Sequence, residues 1–166
     1  GNDLLRGGAG NDALDGGAGD DVALYSGVAS DYLVTPVIDA GTGALVGFSA
    51  VEDTESGDGD EGTDTLTDVE AVYFLGNTAG DLGDDVVLQV GAPVVVYADT
   101  NKAAVVGTFS TIADAVAAAP SGALIEVGAG TYADETVVID KALTLRGANA
   151  GVNAVTGTRG AETLVT

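Results

Sequence analysis

Gly7-Gly8-Ala9-Gly10-Asn11-Asp12-Ala13-Leu14-Asp15 and Gly16-Gly17-Ala18-Gly19-Asp20-Asp21-Val22-Ala23-Leu24 are consecutive copies of one nine-residue pattern, GGxGxDxUx, in which U is apolar. The six residues before them, Gly1-Asn2-Asp3-Leu4-Leu5-Arg6, fit the last six positions of the same pattern. Asp3, Asp12 and Asp21 fall in register, and so do Leu5, Leu14 and Ala23. Three matched polar and apolar positions do not arise in a flexible linker, so the array reads as a repeat architecture in which each unit buries its apolar residue against its neighbours.

Each part of the pattern has a physical task. Glycine permits tight turns at positive φ and leaves carbonyls uncovered, the Asp brings carboxylate oxygen, and the apolar residue points into a flat core. Calcium takes six to eight oxygen ligands, more than one six-residue turn supplies. Two nonapeptides form one 18-residue coil, so turns 18 residues apart stack on one edge and share a cation. The expected ligands are Asp3 and Asp21 with carbonyls around Gly1, Gly17 and Gly19. Asp12, beside Gly10, needs a partner turn near residue 30, where Tyr25-Ser26-Gly27-Val28-Ala29-Ser30-Asp31 departs from the pattern, so a half-formed site is expected there.

These residues resemble the repeats-in-toxin (RTX) family. The resemblance implies a calcium β-roll in a bacterial-type protein that is exported by type I secretion and folds on calcium outside the cell. It spans about 24 residues, and the stretch from Asp21 to Gly76 is similar to the β-rich segment that often follows such repeats, notably in Gly62-Thr63-Asp64-Thr65-Leu66-Thr67-Asp68-Val69-Glu70.

Further along, short β signals at 22–25, 32–37, 45–49, 69–75 and 86–90 are separated by Gly and Asp turns, with an acidic loop at 52–68. Asp58, Asp60, Asp64 and Asp68 read as turn-forming carboxylates of a solvated loop; the other reading is a second calcium site, although residues 53–58 lack EF-hand spacing. Near residues 91–93 acidity falls. One helix is expected at 111–119, with Ser110 as N-cap, Ile112 and Val116 on one face and Pro120 beyond its end. Strands at 124–127, 136–139, 143–146 and 164–166 follow, with Ile125 and Leu143 18 residues apart and Leu145 and Leu164 19 apart, close to one coil of a β-helix.

From residue 110 onward, Thr111-Ile112-Ala113-Asp114-Ala115-Val116, Leu124-Ile125-Glu126-Val127 and Leu143-Thr144-Leu145-Arg146 look like the N-terminal start of a pectate-lyase-like right-handed parallel β-helix. That family holds polysaccharide lyases, hydrolases and epimerases as well as non-catalytic adhesins. Catalytic residues of such enzymes lie on middle coils, and about two or three coils are present. Lys141, Arg146 and Arg159 are the candidate substrate-binding or base set, weighed against ordinary surface charges; no catalytic residue is assigned.

Composition agrees. The 166 residues hold 26 acids, 5 bases and no Cys or His, for a net charge of −21. Thiolate metal sites, disulfides and imidazole catalysis are excluded, and hard oxygen chemistry remains. Residues 1–90 carry 19 acids against Arg6 alone, whereas residues 91–166 carry 7 acids and 4 bases. The first part repels itself until cations bind, which disfavours nucleic acid as a partner; with no long apolar run, membrane insertion is not expected either.

The expectation is therefore an all-β chain in three parts: β-roll repeats at 1–24, a β-rich segment at 25–92 and an incomplete capped β-helix at 93–166. It begins inside a repeat and reads as a piece of a longer protein. Its expected role is a calcium-binding structural or adhesive module of a large secreted or cell-surface protein; the alternative is the non-catalytic portion of an extracellular carbohydrate-active enzyme. Calcium, polysaccharide, further coils and copies of itself in a head-to-tail filament are the candidate partners.

Overall fold

In the computed structural model, residues 1–55, 61–76, 85–133 and 136–148 are described, together with the backbone of 163–165. The fold is all-β, with a single short α-helix among the described residues. It divides into two compact units, Gly1–Gly91 and Ala92–Thr166.

The strands of the first unit are β1 (Leu4–Leu5), β2 (Ala13–Asp15), β3 (Val22–Tyr25), β4 (Tyr32–Ile38), β5 (Leu45–Asp53), β6 (Thr63–Thr67), β7 (Ala71–Phe74) and β8 (Val86–Gln89). Glycine turns of the repeat send successive strands to alternate sheets. One sheet has the order β1-β3-β7-β8. Its β1 and β3 are parallel, with Leu4 beside Val22, the 18-residue spacing of one coil. In turn, β3 is parallel to β7, with Val22 beside Ala71.

On the other side β2 is parallel to β6, with Leu14 beside Leu66. The antiparallel hairpin β4–β5 extends this sheet, β5 pairing with β6. The chain thus makes one regular coil, leaves for the hairpin, and returns at β6 and β7 to lay the next layer on the repeats.

That return corrects two expectations. The turn that stacks on Asp12 lies at residues 62–64, because residues 29–31 form a short 3₁₀ turn leading into the hairpin. The expected acidic loop at 52–68 contains the end of β5 and all of β6. In β6 the alternation of buried and exposed positions turns Asp64 and Leu66 inward, and an inward acid defeats a reading based on polarity alone. Asp58 and Asp60 lie outside the described residues; Asp68 is exposed at φ 49, as a turn residue should be.

The second unit contains β9 (Val94–Tyr97), β10 (Val105–Phe109), α1 (Ile112–Ala118), β11 (Leu124–Val127), β12 (Gly130–Tyr132), β13 (Thr144–Gly147) and β14 (Thr163–Val165). Its β9 pairs antiparallel with both β10 and β11. Parallel pairs follow: β11 with β13, Ile125 beside Leu145, and β12 with β14, Thr131 beside Leu164.

The helix is one residue shorter at each end than expected, and Thr111, not Ser110, is its N-cap, its side chain accepting the Asp114 N–H at 3.1 Å. Ile112, Ala115 and Val116 pack with Val94, Val96, Ile125 and Val127 in one core. Each Val or Ile side chain among them contributes about 1.5–3 kcal/mol when fully buried. Residues 136–139 form no strand: Val137 is partly buried on this core, while Val138 and Ile139 are exposed. Their β-branched side chains favour extended backbone, but no neighbouring strand pairs with them among the described residues.

Candidate calcium site

The turns joining the two sheets of the first unit stack along two edges. On one edge the Asp3 N–H donates to Oδ1 of Asp21 at 2.7 Å, and the Asp21 N–H donates to Oε2 of Glu70 at 2.9 Å. On the other edge the Asp12 N–H donates to Oδ1 of Asp64 at 2.8 Å. Asparagines add a second rung: Oδ1 of Asn2 accepts the Asp20 N–H and Oδ1 of Asn11 accepts the Thr63 N–H. Asp side chains in register therefore tie each turn to the next.

Close stacking explains the glycines. A Cβ on Gly7 would meet Oδ2 of Asp12 at 2.6 Å, so the side chain of the sixth repeat position lies over the first. At Gly16 a Cβ would meet Oδ2 of Asp21 at 2.8 Å and collide with the Asp68 carbonyl oxygen. Gly19 faces the Gly1 carbonyl and Gly62 the Gly10 carbonyl in the same way. Gly10 and Gly17 sit at φ 100 and 77, a region that side chains disfavour.

Two oxygens in this ladder are left over. Oδ2 of Asp12 and Oδ2 of Asp21 are buried and have no hydrogen-bond partner, and Asp21 is fully buried. A buried carboxylate oxygen without a donor is costly unless a cation or proton meets it. Oxygen donors alone line these turns, which is the donor set of a hard cation. Among the described residues no three acidic side chains converge on one point, so carbonyls must complete any coordination shell.

The residues expected at the site are distributed as follows. Gly1, Asp3, Gly17, Gly19 and Asp21 share one edge, where the Gly1 carbonyl faces Gly19 and Asp3 meets Asp21. Asp3 is exposed there. Gly10 and Asp12 belong to the other edge. Sequence reasoning missed Asp64 and Glu70 as rungs. A signal existed for the first, since Gly62-Thr63-Asp64-Thr65-Leu66 repeats the spacing of Gly10-Asn11-Asp12-Ala13-Leu14.

Asp64 differs from the repeat acids in having both oxygens engaged. Its Oδ2 accepts the Tyr25 hydroxyl at 2.9 Å. Burial pushes its carboxyl above the ordinary carboxylate value, and the Asp12 N–H and Tyr25 hydroxyl pull in the opposite direction. Burial, with the Asp64 charge behind it, also raises the Tyr25 hydroxyl strongly, keeping its proton in place. Nearby, Glu61 accepts the Ser26 hydroxyl at 2.7 Å and the Tyr32 hydroxyl at 2.7 Å, and the rings of Tyr25, Tyr32 and Phe74 pack together.

In the second unit Lys141 and Arg146 are engaged rather than grouped. Lys141 Nζ donates to the Ala117 and Ala119 carbonyls at the end of α1, and Arg146 pairs with Glu126 at 3.3 Å. Arg159 lies outside the described residues. No helix among the described residues is long and apolar enough to cross a membrane.

No curated protein and no solved structure matches the chain. Residues 1–23, which carry the stacked turns, match the family model of the RTX calcium-binding nonapeptide repeat (4 copies), so this part of the chain is similar to a calcium-binding module.

Proposed function

We propose that the first unit binds calcium through Asp3, Asp12 and Asp21 with carbonyls at Gly1, Gly10, Gly17 and Gly19, and that it serves as a structural or adhesive module of a secreted or cell-surface protein. The observation that carries this reading is the pair of buried, unpartnered oxygens, Oδ2 of Asp12 and Oδ2 of Asp21, inside glycine turns that only small residues permit. Calcium outside cells then acts as the folding signal, because the ion binds the stacked turns and not the extended chain.

The second unit is proposed as the capped beginning of a parallel β-helix. The two parallel pairs β11–β13 and β12–β14 support it, since strands from successive coils lie side by side in such a fold. Exposed Val138, Ile139 and Leu145 favour cover by neighbouring coils or by another copy.

Calorimetric titration of the full chain with calcium chloride tests the calcium reading. Saturable binding that weakens in Asp12→Asn and Asp21→Asn supports it. Wild-type protein that takes up no calcium at millimolar concentration overturns it.

A further inference from the structure

We infer that a calcium site lies at the border of the repeat array, between Asp21 and the turn at residues 68–70, with Oδ2 of Asp21, the Asp68 carbonyl and the Glu70 carboxylate among its ligands. This rests on the calcium reading above, but adds ligands from a turn, residues 68–70, that does not follow the nonapeptide pattern.

Asp21 divides its two oxygens between two neighbours. Oδ1 faces the earlier coil, where it accepts the Asp3 N–H at 2.7 Å. Oδ2 lies over Gly16, and the Asp68 carbonyl oxygen crowds the same point from the later coil. Two oxygens therefore converge where no hydrogen comes between them: Asp21 is fully buried and its Oδ2 has no donor. The left-handed backbone of Asp68, at φ 49, belongs to the turn that brings its carbonyl here, and the Gly16 N–H bonds to the adjacent Thr67 carbonyl at 3.0 Å.

Glu70 supplies the second charge. Its Oε2 takes the Asp21 N–H at 2.9 Å, placing it as the rung that follows Asp3 and Asp21. Among the described residues no Lys or Arg pairs with Asp21 or Glu70. Two carboxylates and a carbonyl on one turn pair, without a counter-cation from the protein, are the beginnings of a hard divalent site.

The opposite edge supplies the contrast. There the rung from the same returning segment is Asp64, and the Tyr25 hydroxyl occupies its second oxygen at 2.9 Å. No hydroxyl does this for Asp21. The returning segment is thus joined to the repeats by hydrogen bonds on both edges, and on the Asp21 edge the unpartnered Oδ2 beside the Asp68 carbonyl adds a place for an ion.

The test is Glu70→Gln in the full chain, which keeps an oxygen for the Asp21 N–H and removes the charge. Calorimetry with calcium chloride should show one class of sites weakened on the order of tenfold, because the charge of the ligand set tunes affinity. In wild-type protein, calcium should also slow amide exchange at Asp21 and Ala71, which bound the site and decide the question should the variant fail to fold. Calcium binding by Glu70→Gln indistinguishable from wild type, or exchange at these two amides that ignores calcium while the protein still binds it, overturns the inference. Wild-type protein that binds no calcium instead removes the calcium reading on which it rests.

Discussion

The main-chain N–H of Asp12 meets Oδ1 of Asp64 at 2.8 Å across a gap of 52 residues. With the Tyr25 hydroxyl on its other oxygen, Asp64 joins the repeats, β3 and the returning strand β6 at one buried point. Asp64→Ala should leave both donors without an acceptor and destabilise the first unit by about 3 kcal/mol. Tyr25→Phe, which strands only the carboxylate oxygen, should cost about half as much. Urea unfolding measures both, and losses below about 0.5 kcal/mol would show the tie to be incidental.

Calcium removal should unstack the turns. At a free ion level one hundred times the dissociation constant, one site contributes about 2.7 kcal/mol, a large share of the total for a small unit. Melting temperature and far-UV circular dichroism should fall in chelator and recover with calcium. Added sodium chloride controls for simple screening of the 19 acids in residues 1–90; recovery with sodium alone would reduce the effect to charge repulsion.

Two acids, exposed Asp39 and half-buried Asp99, report on pH. The Thr42 hydroxyl and N–H hold the Asp39 carboxyl below its ordinary value of 3.8, and the Ala103 and Asn101 N–H groups do the same for Asp99. A depressed folded-state value means that the stabilisation is present above pH 3.8 and is lost as pH falls through the lower, folded-state value. Carboxyl carbon resonances should titrate below 3.8 for both. Asp99→Ala should accordingly destabilise more at pH 7 than at pH 2, and an equal effect at the two would contradict the assignment.

The helix of the second unit is held at both ends. Thr111→Ala removes the N-cap acceptor and should cost about 1 kcal/mol. Lys141→Ala frees the carbonyls at the other end and should cost roughly 0.3–1 kcal/mol. Denaturant midpoints check each, and the two losses should add, since the residues share no bond.

Strands that are short, mostly apolar runs, such as Val22–Tyr25 and Leu124–Val127, were readable from pattern alone. So was the register of Asp3, Asp12 and Asp21. What escaped was pairing over distance: the hairpin of β4 and β5 breaks the nine-residue period before Gly62-Thr63-Asp64 resumes it, hiding that copy from a search at fixed spacing. Glu70 escaped for another reason, because it takes an Asp position with a longer side chain. At residues 136–139 local preference pointed to a strand that tertiary pairing did not supply.

The excursion through the hairpin also has a consequence in time. Leu4 finds Val22 after closing a short loop, whereas Leu14 finds Leu66, and Val22 finds Ala71, only after roughly fifty residues have been brought round. Distant pairings are slow to form because chain closure precedes any compensating contact. The first coil should therefore assemble and fall apart many times before the returning segment lands on it. Refolding speed is then set by the hairpin, and shortening the connection at its tip, residues 39–44, is the change that should accelerate it.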